Sequence, residues 1–160
     1  MTSRGTQTKT IRFPLTHRAD YIDAVSVHPY WWAEAPEKGQ LDAIQKIRTL
    51  MNNNGLSDKE IWVTEVGWQK TIGLDRQAYF TTNYLLLNDV KGAAEKTFLF
   101  RYVAAMPSAG NEEFGFLNDN ADDVPFSARP VMAAVANYNR IMSGAKYVSK
   151  ITAGGVDVYR

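Results

Sequence analysis

Three runs of apolar and β-branched residues recur along this chain at even intervals, and each ends on polar side chains. The segment from Tyr21 closes on Ala24-Val25-Ser26-Val27 and leads into His28-Pro29-Tyr30; Ile61-Trp62-Val63-Thr64 leads into Glu65-Val66-Gly67-Trp68; Thr97-Phe98-Leu99-Phe100 ends at Arg101-Tyr102. Glu65 lies 37 residues after His28, and Tyr102 lies 37 residues after Glu65. A strand with its crossover helix and loops needs roughly 30 or more residues, so this interval predicts successive parallel strand–helix units. Consecutive apolar positions suit strands buried on both faces of a parallel sheet, and Trp62, inside the second run, is expected in the core.

Helical spacing fills the intervals. Leu41, Ile44, Ile47, Leu50 and Met51 share one face of a helix predicted between residues 40 and 54, with Lys46 and Arg48 outward and Gly55 placed to end it in a left-handed turn. Asp75 is expected to cap a second helix whose apolar positions Phe80, Tyr84 and Leu87 precede Gly92. Residues 106–127 carry Pro, Gly, Asn and Asp without periodicity and read as a long loop. Pro130 then opens a last helix with Val131, Val135, Tyr138 and Met142 as its stripe. Gly154-Gly155 marks a terminal hairpin.

The expected organisation is a poorly ordered lead or edge strand over 1–20, a βαβαβ unit with its last helix over 21–144, and the start of a β-rich segment over 145–160. A chain of 160 residues with 45% hydrophobic content has enough apolar side chains for one core.

Charge and composition narrow the chemistry. The net charge is +1 and basic residues are dispersed, so the footprint of a nucleic-acid or anionic-membrane binder is missing. Without cysteine there is no thiolate nucleophile, no disulfide and no cysteine-based zinc site. The sequence has only two histidines, His17 and His28, and no His-Glu-x-x-His, phosphate-binding glycine loop or Gly-x-Ser-x-Gly occurs. Neither metal nor cofactor is expected. Asp119, Asp122 and Asp123 lack the spacing of a calcium loop and read as a solvated acidic loop. The first ten residues lack the apolar centre of a secretory signal, and no stretch reaches the roughly 20 apolar residues of a membrane span. An extracellular or periplasmic location of a full-length protein stays open.

A carboxylate closing a buried strand is costly unless it is paired or faces a cleft, and loops at strand ends are where sites collect. Glu65 is therefore the leading catalytic candidate, against the plainer reading of a helix cap or ion-pair partner. His28 and Tyr30 are two apart around Pro29, which favours extended backbone before it, so both can face one side. There the imidazole can donate to a sugar hydroxyl and the phenol can hold a carboxylate. Trp31, Trp32 and Trp68, just past the strand ends, offer flat faces suited to pyranose rings, though such residues also pack loops. Tyr102, ending the third run, completes the candidate set.

Taken together, Val25 to Tyr30, Trp62 to Trp68, and Phe114-Gly115-Phe116-Leu117 with Arg129-Pro130-Val131 resemble the C-terminal part of a clan A glycoside hydrolase over about residues 21–142. The resemblance implies an α/β fold that is part of an eight-stranded β/α (TIM) barrel, about strands six to eight with their helices, plus the short C-terminal β segment. It implies a retaining enzyme acting on β-glycosides, with Glu65 as nucleophile and His28 and Tyr30 as substrate-binding residues. The family's Asn-Glu-Pro segment, which carries the acid/base, has no counterpart here, and Arg101-Tyr102 stands where relatives often have Trp. The isolated chain is accordingly expected to be inactive and to self-associate through exposed sheet edges. A non-catalytic carbohydrate-binding or interaction module, and an unrelated α/β domain, are the alternatives.

Overall fold

A computed structural model describes residues 19–31, 33–104, 114–119 and 122–160. The expected lead over 1–20 lies almost wholly outside these, as do Trp32 and much of the loop after the third strand. Element order follows the periodicity: β1 (Ala24–Val27), α1 (Gln40–Asn52), β2 (Glu60–Val66), α2 (Leu74–Lys91), β3 (Lys96–Leu99), α3 (Pro130–Met142), then β4 (Lys150–Ala153) and β5 (Val156–Tyr159). The fold is α/β: β1, β2 and β3 form a parallel sheet in that order, and β4–β5 is an antiparallel hairpin.

One face of the parallel sheet carries the core. Ile61, Val63 and Val66 of β2 pack with Leu41, Ile44 and Met51 of α1 and with Tyr84 and Leu87 of α2, while Val25, Val27 and Leu99 flank them. Helix α3 lies against α2 and buries Val131 and Val135. Burial of each such side chain contributes roughly 1.5–3 kcal/mol, so this cluster is the main stabilising element.

The opposite face is open, and here the expectation of strands covered on both sides does not hold among the described residues. Ser26 and Phe98 are exposed, Phe98 at 52% of its surface, and Trp62 is half-buried. Trp62 sits beside Ser26 and Lys96 in the strand register, under the Lys96 ammonium 4.0 Å from its ring centre, and its indole N–H donates to Glu60. It belongs to this surface and not to the core.

Other differences have local causes. The first strand starts at Ala24, because Ala19–Tyr21 forms a 3₁₀ turn that leaves Tyr21 exposed. The third stops at Leu99, short of Tyr102. Helix α1 ends at Asn52, and Gly55, at φ +74°, closes the turn beyond it. Leu50 points to solvent, whereas Arg48 turns inward to bridge the Lys59 carbonyl and the Glu95 carboxylate. Gly73, not Asp75, is the N-cap of α2, and Asp75 instead adds negative charge to the first turn, where the helix dipole favours it. Gly92, at φ +54°, ends α2 as expected.

Between Val63 and Val66 the β2–β3 register slips by one residue: Val63 pairs with Thr97, and Val66 with Leu99. Two residues three apart face opposite ways on a regular strand, yet both valines are buried. The extra residue forms a bulge, which turns Thr64 and Glu65 together toward the open side. Just beyond it, a Cβ on Gly67 would collide with the Phe100 carbonyl oxygen, so the two chain segments approach only because residue 67 has no side chain. Gly67→Ala is expected to lower stability by about 3 kcal/mol, read from urea unfolding; a wild-type midpoint would contradict this close approach.

Candidate active site

The bulge delivers Glu65 to the end of β2, and the turn after β1 brings two side chains to it. The Tyr30 hydroxyl donates to Glu65 Oε2 at 3.0 Å, and His28 Nδ1 lies 3.6 Å from the same oxygen. The two side chains of the pair are 37% and 48% exposed for Glu65 and His28, so the cluster stands at a surface that a ligand can reach. Among the described residues, Glu65 Oε1 accepts no hydrogen bond.

Each partner is held from behind. The Tyr30 N–H donates to the His28 carbonyl across Pro29, and the buried amide of Gln40, at the start of α1, donates to the Pro29 carbonyl at 2.6 Å. The Tyr30 ring meets Phe114 and Phe100 edge-on, at 5.6 and 6.3 Å between ring centres. On the other flank, His28 Nε2 lies 2.9 Å from Thr64 Oγ1, which also contacts Ser26 Oγ.

Phe114 is kept in place by a network that the sequence pattern did not disclose. The Arg129 side chain is fully buried; its Nε donates to Asn118 Oδ1 at 2.7 Å and its Nη1 to the Gly115 carbonyl. Gln77 of α2 donates to the Trp68 and Gly115 carbonyls. Asp119 and Asp122 accept each other's backbone N–H, and Asp122 pairs with Lys70 at 3.3 Å. The solvated acidic loop expected here is corrected at two of its residues: Asp119 is buried, and although burial opposes ionisation of Asp122, the Asp119 N–H, Lys70 and Arg129 hold its carboxyl below the usual range.

The remaining candidates divide. Trp68 is 1% exposed, packed against Phe80 and Tyr84, with its indole N–H donating to the Glu34 carbonyl. It is a core residue and cannot present a face to a sugar, which removes one support of the binding-module reading. Trp31 is half-buried, with its ring edge against Gly39, and Trp32 lies outside the described residues. Tyr102 is 63% exposed, and no hydrogen bond or ring contact joins it to Glu65 or His28 among the described residues. Glu65, His28 and Tyr30 are the candidates that the fold brings together. Ser26, Thr64, Gln40 and Arg129 were missed; alternation along β1 and β2 could have found the first two, since both share the face that His28 continues.

Around this cluster no group of three or more metal-ligating side chains exists among the described residues. A surface pocket of about 190 Å³ lies elsewhere, between α1, α2 and the terminal hairpin, lined by Asp42, Lys91 and Tyr159 among others. It shares no residue with the cluster.

Burial, then the hydrogen bond and negative charge of Glu65, raise the Tyr30 phenol well above its ordinary value. Burial pushes Tyr84 up to about 12, and burial with Asp89 raises Tyr138. A phenol whose proton is held more tightly in the folded state contributes stability fully below its ordinary pKa of about 10, and loses it as pH rises toward the folded value. Stability is therefore expected to fall above about pH 10. In an ultraviolet titration of tyrosinate, Glu65→Gln is expected to bring one late-titrating phenol back toward the ordinary range; an unchanged curve would contradict the Tyr30–Glu65 contact.

Among solved structures, the chain is similar to a family 39 glycoside hydrolase from the gut symbiont Bacteroides cellulosilyticus WH2, with a TM-score of 0.70 and 23% sequence identity. The match covers 85% of this chain and 30% of that one. No protein-family model and no curated protein sequence matches the chain. The shared property is the fold: the parallel strand–helix arrangement of this chain is that of about three tenths of the length of a glycoside hydrolase.

Proposed function

We propose that this chain is the nucleophile-bearing part of a retaining β-glycoside hydrolase, corresponding to about strands six to eight of a β/α barrel. The observation that carries the reading is the convergence of Tyr30 and His28 on Oε2 of a strand-end carboxylate. In a retaining reaction one carboxylate attacks the anomeric carbon while a second carboxyl, about 5 Å away, protonates the departing oxygen. Glu65 fits the first task. Its Oε2 is held by the Tyr30 hydroxyl, and in this reading Oε1 forms the bond to carbon. Tyr30 and His28 then orient the carboxylate.

The second carboxyl belongs to an Asn-Glu-Pro segment that the sequence does not contain. Glycosides with ordinary leaving groups need that proton; a dinitrophenyl 2-deoxy-2-fluoroglycoside does not. With such reagents, across a panel of β-configured sugars, slow covalent labelling is expected at Glu65, as a glycosyl mass increment on the peptide holding residue 65, and none in Glu65→Gln. Labelling of another carboxylate would overturn the assignment. Unactivated aryl β-glycosides are expected to show no turnover; robust hydrolysis abolished by Glu65→Gln would disprove the division of the catalytic pair.

The open sheet face and the strands β1 and β3 at the sheet edges supply the reason to expect self-association. The 18.0 kDa chain is expected to sediment as a larger species at micromolar concentration. Replacing both Trp62 and Phe98 by charged residues is expected to return it to the monomer. A wild-type monomer would refute this expectation.

A further inference from the structure

We infer that Thr64, backed by Ser26, is a positioning residue that holds His28 in the neutral tautomer protonated at Nδ1, so that the imidazole directs an N–H at Glu65. The two ring nitrogens face different partners. Nδ1 lies 3.6 Å from Glu65 Oε2, and Nε2 lies 2.9 Å from Thr64 Oγ1. A hydroxyl can donate or accept, so Thr64 alone accommodates either tautomer. The carboxylate does not: ionised, it only accepts, and an unprotonated Nδ1 would turn a lone pair toward a negative charge. With the proton on Nδ1, Nε2 must accept, and Thr64 must donate.

That leaves Thr64 Oγ1 with lone pairs and no proton to spare, and Ser26 Oγ is the group in contact with it. Ser26 then donates to Thr64, Thr64 to His28 Nε2, and His28 Nδ1–H points to Glu65, a chain of donors running in one direction. Such chains polarise one another and strengthen each link. The geometry exists because Ser26 and Thr64 lie on the same sheet face, with Ser26 paired beside Trp62 in the register and Thr64 two residues further along β2. In the family reading, which this inference deepens and on which its catalytic meaning rests, the outcome is a nucleophile whose Oε2 accepts from Tyr30 and has the His28 N–H directed at it from 3.6 Å.

Nitrogen NMR of the imidazole tests this in the full chain, at a pH above the histidine range. A protonated and an unprotonated ring nitrogen resonate far apart, and their signals converge when tautomers exchange. The sequence contains two histidines, so His17→Ala assigns the signals of His28. Wild type is expected to show Nδ1 protonated and Nε2 unprotonated. Thr64→Val should move the two signals toward each other, Ser26→Ala should do so less, and Thr64→Ser should restore the wild-type pattern, which a purely structural role for Thr64 would not require. Protonation at Nε2 in wild type, or a Thr64→Val spectrum like wild type, overturns the inference. If Thr64→Val does not fold, Ser26→Ala and Thr64→Ser decide on the same criterion. A tautomer held as described, together with no labelling of Glu65 by fluoroglycosides, would overturn the glycosidase reading and leave this one standing.

Discussion

The one-residue bulge in β2 is the constraint on which the candidate site depends. A regular strand would alternate from Val63 through Val66 and send Val66 to the face opposite Val63, exposing an apolar side chain or dragging the strand out of its pairing. Burial of both valines against the helices fixes the slip instead, and the residue gained is what turns Glu65 beside Thr64. Hydrophobic packing on one face of the sheet thus sets the direction of an ionisable group on the other. The core also tolerates the carboxylate because it never enters it: Glu65 keeps more than a third of its side-chain surface in contact with solvent.

From that bulge the arrangement spreads outward through groups that are individually modest. A hydrogen bond to a charged acceptor is worth roughly 1.5–3 kcal/mol net, enough to hold Tyr30 on Glu65 only if the ring is already in place. Placement comes from the Gln40 amide on the Pro29 carbonyl and from Phe114, whose loop hangs on the buried Arg129 guanidinium. A buried guanidinium is tolerable only with partners, and it finds them in Asn118, Gly115 and Asp122. The residues that shape the site are therefore mostly not the residues that face a ligand.

How much of this was legible in the sequence follows from what each signal encodes. Period and spacing encode which faces are apolar, so the βαβαβ order, the helix stripes and the hairpin could be read directly, and strand ends marked Glu65, His28 and Tyr30. Side-chain direction after a bulge is not encoded in alternation, which is why the placing of Glu65 on the same face as Thr64 could not be read from the pattern. Trp68 misled for a related reason: it follows Gly67 in what reads as an exit loop, yet the chain there stays close to β3 and folds the indole back onto α2. Trp62 misled in the opposite sense. An apolar residue in an apolar run reads as buried on either face, and only the coordinates distinguish the helix-covered side from the open one.

That open side bears on the functional reading through physics and not through resemblance. A parallel sheet normally has both faces covered, and here, among the described residues, Trp62, Phe98 and Lys96 stand on the open face that also carries Ser26 and Thr64. In water the Glu65 cluster stands at high dielectric, where the Tyr30 hydrogen bond and the nearby imidazole act on the carboxylate only weakly. Covering the face would exclude water, strengthen each of those contacts, and bring further side chains to the edge where Glu65 stands. The same act would satisfy the sheet and change the surroundings of the carboxylate, so the stability of the fold and the electrostatics of Glu65 are coupled through this face.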